Sequence, residues 1–394
     1  MTSEFLKPSV LPHNARFSSG PCSKRPEWAF KNLDHSILGR SHRSGIAKKM
    51  LKEIVDKTHL LLSLPEGYKV GITPGSATGA IELAMWNLLG IDGISCDAFA
   101  WEEFSGMWMD DVLNELKIPD ARAFQVPYGQ LPDFNMMHPN RDAIFAWNGT
   151  TSGACIPNGD MIPKGDKGLR ICDATSAAFM YEMPWDKLDV VTFSWQKCAG
   201  AEAAHGMIVL SPKALHRLQT YKPSWPMPKL FRLHNNKGEV NEGFFDGVFI
   251  NTPSMMCMAD ILDALQWIES IGGRPAIQQR ISENQRALDH WVQKTEWIDY
   301  LTENPLHRSK TSICLRYIGK GFTALSEEKR QKFSDLVVQL LEQERAGYDL
   351  NAYKTAPHGL RIWCGTTVET ADIKALCPWL EWAYHTALAK INEN

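Results

Sequence analysis

The chain has 394 residues, 44% of them hydrophobic, and carries 42 Lys and Arg against 45 Asp and Glu, for a net charge of −3. That length exceeds what one hydrophobic core usually organises, so two domains are expected. Near-neutral charge without like-charge runs argues against a nucleic-acid or membrane-surface binder, and any anion site has to be local.

The opening Met1-Thr2-Ser3-Glu4-Phe5-Leu6-Lys7-Pro8 lacks the apolar stretch of a signal peptide. No run reaches the ~20 apolar residues of a membrane span, so a cytoplasmic protein is expected. The nine cysteines, an odd number with no Cys-x-x-Cys pair, read as reduced thiols rather than a disulfide framework or a metal site. Cys96, Cys172 and Cys257 stand among apolar residues and are assigned to the core.

Over residues 46–64, apolar side chains at Ile46, Met50, Ile54 or Val55 and Leu61 or Leu62 give a helical period that stops near Pro65-Glu66-Gly67. A short strand, Val70-Gly71-Ile72-Thr73, follows, then a Gly-rich turn and a helix with the stripe Ile81, Ala84, Met85 and Leu88. Runs at 142–147, 169–173, 190–195 and 207–210 are apolar almost throughout, as strands covered on both faces are. Alternating with helices, they predict an α/β domain with a mostly parallel sheet. A helix over 261–271 runs into Gly272-Gly273, the exit from that domain. Amphipathic helices (275–295, 326–347) and strands (312–317, 359–364) then form a smaller α+β domain. The expected division is an N-terminal segment, 1–16, packing on the small domain; a large domain, 17–268; and a small domain, 269–394.

Ligands of open α/β sheets sit at the carboxyl ends of the strands, so the residues ending these runs are the ones to compare. After the first strand, Thr73-Pro74-Gly75-Ser76-Ala77-Thr78-Gly79-Ala80 opens a helix whose free N–H groups and dipole favour a phosphate, although a helix capped by Ser76 needs no ligand. No Gly-Lys-Ser/Thr follows, so it is not a Walker loop. Asn148-Gly149-Thr150-Thr151-Ser152-Gly153 ends the next run. Asp173-Ala174-Thr175-Ser176 ends the one after, placing a carboxylate at the sheet mouth as a helix cap or a cation's partner.

Trp195-Gln196-Lys197 then puts a single lysine at the end of a buried strand. Such a lysine either snorkels to the surface or has a depressed pKa that makes its amine a nucleophile. A lysine for a Schiff base, an acid for a pyridine nitrogen and a phosphate cup are together what pyridoxal phosphate requires of a protein. An aromatic face for the ring could come from any of the fourteen tryptophans, Trp101 in Phe99-Ala100-Trp101-Glu102 among them, but a tryptophan is more often core, and nothing in the residues alone selects one.

With these residues in view, the chain resembles the phosphoserine aminotransferases, fold-type I enzymes of the class-V aminotransferase group. The resemblance runs through Phe17-Ser18-Ser19-Gly20-Pro21, Ser41-His42-Arg43, the Gly75 to Ala80 cup, Trp101, Asn148-Gly149-Thr150, Asp173, Gln196-Lys197, Asn251-Thr252-Pro253 and Arg361. It implies reversible amino transfer between glutamate and 3-phosphohydroxypyruvate in serine biosynthesis, with the 4-phosphohydroxythreonine reaction of pyridoxine biosynthesis as a further activity of many bacterial members. Lys197 would carry the cofactor and the Cα proton, Asp173 would bind the pyridinium nitrogen, Trp101 would stack on the ring and Thr150 would reach the ring hydroxyl. Ala77, Thr78 and Gln196 would hold the cofactor phosphate, with Asn251 and Thr252 lent by the second subunit of a homodimer. Arg361 would clamp the α-carboxylate, a task suited to a bidentate guanidinium, while Ser19, His42 and Arg43 would line the pocket for the distal anion.

The chain departs from the best-known bacterial pattern, which has an arginine in the cup and a His-Arg pair in the C-terminal substrate loop. Here Thr78 and Lys354-Thr355 stand at those places, and Lys354 and His358 are the cations available to make up the charge. The nearest competing reading is another class-V enzyme, a serine– or alanine–glyoxylate aminotransferase, which needs no distal anion pocket; His42-Arg43 speaks for the phosphoserine reading. A nucleotide-binding or structural α/β protein is the more remote one, and no Gly-x-Gly-x-x-Gly follows the first strand.

Overall fold

A computed structural model describes residues 6–393, so part of the expected N-terminal segment, residues 1–5, lies outside the described residues. In chain order the large unit comprises α1 (Gly45–Leu61), β1 (Lys69–Pro74), α2 (Ser76–Leu88), β2 (Cys96–Ala100), α3 (Glu103–Asp110), β3 (Arg122–Gln125) and β4 (Asp142–Ala146). It continues with β5 (Arg170–Asp173), β6 (Val190–Ser194), β7 (His205–Leu210), α4 (Pro212–Thr220) and α5 (Met255–Ser270). After Gly272 and Gly273, both at positive φ, come α6 (Arg274–Val292), β8 (Ile298–Tyr300), β9 (Ser312–Tyr317), α7 (Lys320–Thr323), α8 (Glu327–Gln343), β10 (Gly359–Trp363) and α9 (Thr370–Glu393).

The first seven strands form one sheet in the order β1-β7-β6-β5-β4-β2-β3. Only β7 runs against its neighbours, pairing antiparallel with both β1 and β6. The carboxyl ends of β1, β2, β4, β5 and β6 therefore share one edge. The interior strands β2, β4, β5 and β6 are buried at every position, which is why they read as continuous apolar runs, whereas the edge strand β3 alternates. Apolar side chains of α2, α3 and α4 cover one face. The core on the other face is continuous with the one under the second, antiparallel sheet, β10-β9-β8. The class predicted from the sequence, a mostly parallel α/β sheet with a smaller α+β unit, is the one observed.

The described part of the N-terminal segment lies along that second unit. His13 donates its backbone N–H to Asp372 at 2.7 Å, Trp379 Nε1 donates to the Val10 carbonyl at 2.8 Å, and Tyr348 donates to Ala15 at 2.9 Å. Some sequence expectations are corrected. Ile46 is 41% exposed, because the buried face of α1 is carried by Ala47, Met50, Leu51, Ile54, Val55 and Thr58. All nine cysteines are free, but Cys257 is only half-buried on α5. The strands β2 and β3 and the long helix α9, which holds Pro378 within it, have no counterpart among the expected elements.

Candidate active site

Four strand ends build one pocket. At the first, Gly75 and Ser76, the N-cap and the first residue of α2, both adopt positive φ, 80° and 56°. A left-handed serine is uncommon, and such backbone strain collects at functional sites. Ser76 is not the cap expected from the sequence: the N-cap is Gly75, no side chain caps the helix, and Ser76 Oγ instead accepts from Gln196 Nε2 at 3.4 Å. The first N–H groups of α2, at Ala77 and Thr78, are left for an anion. Gly206 on β7 makes the close approach possible, since a Cβ there would lie 2.2 Å from the Ser76 carbonyl oxygen.

The loop after β4 enters next. Asn148 Nδ2 is shared among Ser176 Oγ, the Ser176 carbonyl and Thr311 Oγ1, and Thr150 Oγ1 meets Ser176 Oγ at 2.8 Å. At the end of β5, Asp173 is buried; its Oδ1 accepts from Thr175 N (2.9 Å) and Thr175 Oγ1 (2.5 Å), and its Oδ2 from Trp108 Nε1 (3.1 Å). Burial pushes the Asp173 pKa up, and these bonds together with the charge of Lys197 pull the other way.

Lys197, one turn past β6, is 6% exposed and donates Nζ to the Ser19 carbonyl. Loss of solvent lowers its pKa from the ordinary 10.5 to about 8, with the Arg361 charge acting in the same direction and Cys22, Asp173 and Glu102 opposing. It is therefore not a surface lysine. Lys197, Asp173, Thr150, Gln196, Ala77 and Thr78 line one cavity together with Ser76, Asn148, Thr175 and Ser176.

Several candidate residues sit elsewhere. Trp101 does not line this cavity: its indole N–H is committed to the Ala154 carbonyl at 3.1 Å, and its ring lies under Gly149, whose missing Cβ would fall 2.6 Å from Nε1. The aromatic side chains that do line it are Phe104 and Trp108 on α3. His358 faces away, bound through Nε2 to Glu327 at 2.8 Å and through Nδ1 to Ser334 at 3.3 Å. Lys354 is exposed, and Thr355 donates to Glu103 Oε2 at 2.7 Å.

Ser19 is buried beside Lys197, with Oγ accepting from Ser312 at 3.1 Å. Arg361 has its Nε buried without a hydrogen-bond partner. His42 and Arg43 do not line the Lys197 cavity of their own chain. They adjoin the loop that carries Asn251: Arg43 Nη2 donates to the Ile250 carbonyl at 3.4 Å, and Asn251 and Thr252 are exposed. His42 is buried with Nε2 unpartnered, and desolvation and the Arg43 charge lower its pKa.

Sequence reasoning missed Glu102, Phe104 and Trp108. Glu102 is buried and accepts from Ser105 N (2.7 Å) and Thr151 Oγ1 (2.8 Å), clamping the start of α3 to the loop that carries Thr150. Burial raises its pKa to about 7. Phe104 and Trp108 stand one helical turn apart, a spacing that places both on one face once α3 is known to start at Glu103. A neighbouring cavity of about 780 Å³ is walled by the acidic side chains Glu82, Glu103, Asp110 and Asp111.

A buried lysine of lowered pKa, a buried aspartate on the adjacent strand and an uncapped helix start beside them are the groups that a fold-type I pyridoxal-phosphate transferase requires. The donor set fits the cofactor: the N–H groups at the start of α2, which no side chain caps, suit its phosphate, and the buried Asp173 carboxylate suits its pyridine nitrogen. No family model matches the chain. It is 46% identical over 380 residues to the phosphoserine aminotransferase of Methanosarcina barkeri, covering 96% of this chain and 99% of that one. The Methanosarcina mazei phosphoserine aminotransferase is likewise 46% identical over 379 residues. A crystal structure of the Cytophaga hutchinsonii phosphoserine aminotransferase superposes with a TM-score of 0.77 at 20% identity, covering 93% of this chain and 98% of that one. The chain belongs to the phosphoserine aminotransferase family.

Proposed function

We propose that the chain catalyses reversible amino transfer between glutamate and 3-phosphohydroxypyruvate, giving O-phospho-L-serine and 2-oxoglutarate, with pyridoxal phosphate as cofactor. The observation that carries this reading is the Lys197–Asp173 pair, buried on adjacent strand ends beside the uncapped start of α2. When bound, pyridoxal phosphate supplies the electron sink for a carbanion at the substrate Cα.

The protein's own groups do the rest. Lys197 Nζ would hold the cofactor and, as a free amine, would take the proton from the substrate Cα as base and return a proton as acid; a pKa of about 8 suits both duties. Asp173, kept in place by Thr175 and Trp108, would hold the pyridine nitrogen. Among the residues lining the cavity, Thr150 would reach the ring hydroxyl, Phe104 or Trp108 would give the ring its aromatic face in place of Trp101, and Ala77, Thr78 and Gln196 would hold the phosphate. Arg361 takes the α-carboxylate, as its unpartnered buried Nε suggests, and Ser19 bounds the site behind Lys197.

The distal anion goes to His42 and Arg43 of the second subunit, which arrive with Asn251 and Thr252. The support for a homodimer is that these residues adjoin one another on a surface exposing Leu38, Ile46, Val248 and Ile250. Glutamate and phosphoserine each carry an α-carboxylate and a distal anion, so one basic pocket serves both half-reactions. 4-Phosphohydroxythreonine presents the same pair and is a second substrate class for the site. We place the enzyme in the cytoplasm, in keeping with its nine free cysteines. No described helix is long and apolar enough to cross a membrane.

Reconstitution tests the cofactor assignment. The wild-type protein should bind pyridoxal phosphate with a visible chromophore that glutamate bleaches and borohydride fixes at Lys197, while Lys197→Ala shows neither change. A wild type that stays colourless in excess cofactor overturns the reading.

A further inference from the structure

Tyr353 touches two groups that the proposed reaction uses. Its ring packs against Phe104, which walls the Lys197 cavity, with centroids 5.9 Å apart and planes inclined by 54°. The guanidinium carbon of Arg361 stands 5.7 Å from the centroid of the same ring, within the range of a cation–π contact. An arginine stem is flexible, and its fork recognises a carboxylate only when held in one orientation. Arg361 does not line the cavity, but its charge acts on Lys197 and its buried Nε has no partner within the chain, so a substrate carboxylate beside Lys197 is a partner open to it.

The segment carrying Tyr353 is fastened to the large unit. Tyr128 and Thr355 hydroxyls meet at 2.6 Å, and Thr355 Oγ1 donates to Glu103 Oε2 at 2.7 Å, so the segment hangs on the first residue of α3. Phe104, the next residue of α3, meets Tyr353. Thr355 occupies one of the places where the bacterial pattern has a cation, and here it supplies a hydrogen-bonded latch instead of charge.

We propose that Tyr353 is a positioning residue for Arg361, aiming its guanidinium at the α-carboxylate of both amino-acid substrates, and that Thr355 latches the segment bearing it to α3. The inference rests on the aminotransferase reading and deepens it. The contact is with the ring face, so the hydroxyl of Tyr353 is dispensable.

The test is a set of variants measured two ways: calorimetric binding of glutarate, a dicarboxylate that cannot react, and steady-state kinetics with glutamate and with phosphoserine. Tyr353→Ala should raise the glutarate Kd and both KM values about tenfold, with kcat within about twofold, as expected for one desolvated cation–π contact. Tyr353→Phe should behave as wild type, and Thr355→Val should give a smaller rise in KM of about threefold. In an Arg361→Ala background Tyr353→Ala should add nothing, because it acts through that guanidinium. The proposal is overturned by a Tyr353→Ala variant with wild-type Kd and KM, by Tyr353→Phe damage equal to that of Tyr353→Ala, or by additivity with Arg361→Ala. A wild type that binds glutarate and transaminates while the variants behave in those ways leaves the parent reading standing. A wild type that does neither overturns both.

Discussion

Lys197 shows how burial sets chemistry at the scale of one residue. Its amine is desolvated at a strand end with Arg361 nearby, and the pKa falls to about 8. The sign follows directly: the neutral amine attacks the cofactor's aldehyde, and lowering the pKa raises the neutral fraction near neutral pH. About a tenth of the amine is neutral at pH 7, against well under a thousandth at the ordinary value. The rate at which cofactor-free protein captures pyridoxal phosphate, followed by stopped-flow absorbance, should therefore climb through pH 8 and level off above about pH 9. A rate still rising tenfold per pH unit beyond that point would show a lysine of ordinary pKa.

The elements around Lys197 explain both what the sequence disclosed and what it hid. Strands β4, β5 and β6 are covered on both faces, so their continuous apolar runs announced them and fixed Asp173 and Lys197 at their ends. β2 is just as buried and as long as β4 and β6, but Asp97 interrupts its apolar run, and without it the start of α3 was invisible. Trp101 was expected on the cofactor ring from the resemblance alone. One residue past the strand, it turns under the Asn148 loop, and the helix that follows delivers Phe104 and Trp108. The neighbourhood of Arg43 and Asn251 joins two loops 207 residues apart through the Ile250 carbonyl and carries no local signal at all.

Helix α3 accordingly matters to the cofactor through Trp108, whose indole N–H holds Asp173 Oδ2. Trp108→Phe keeps the aromatic volume and removes that bond to a buried carboxylate. Cofactor affinity, measured by fluorescence titration, should fall about tenfold, the effect of one hydrogen bond to a charged group, and Asp173→Asn should abolish most of the difference between Trp and Phe. Equal affinities for wild type and Trp108→Phe would leave Trp108 as packing alone.

For the whole molecule, the proposed homodimer has each site completed by two chains, in keeping with His42 and Arg43 not lining the cavity of their own subunit. Lys197→Ala and Arg43→Ala homodimers should each be nearly inactive for different reasons. Co-expressed, they should regain about a quarter of wild-type activity, because half of randomly assorted dimers carry one intact site. No recovery would mean that Arg43 serves its own subunit or none. The distal anion is what separates this reading from a glyoxylate-using relative, and it is also where the chain departs most from the bacterial pattern, with Thr78 and the Thr355 latch in place of cations. The decisive measurement is glutamate-dependent amination of 3-phosphohydroxypyruvate, pyruvate and glyoxylate by the same preparation. A pocket built around the distal phosphate predicts a kcat/KM at least about a hundredfold higher for 3-phosphohydroxypyruvate, because the unphosphorylated acids leave its cations unpaired. Comparable values for the three acceptors would contradict the account.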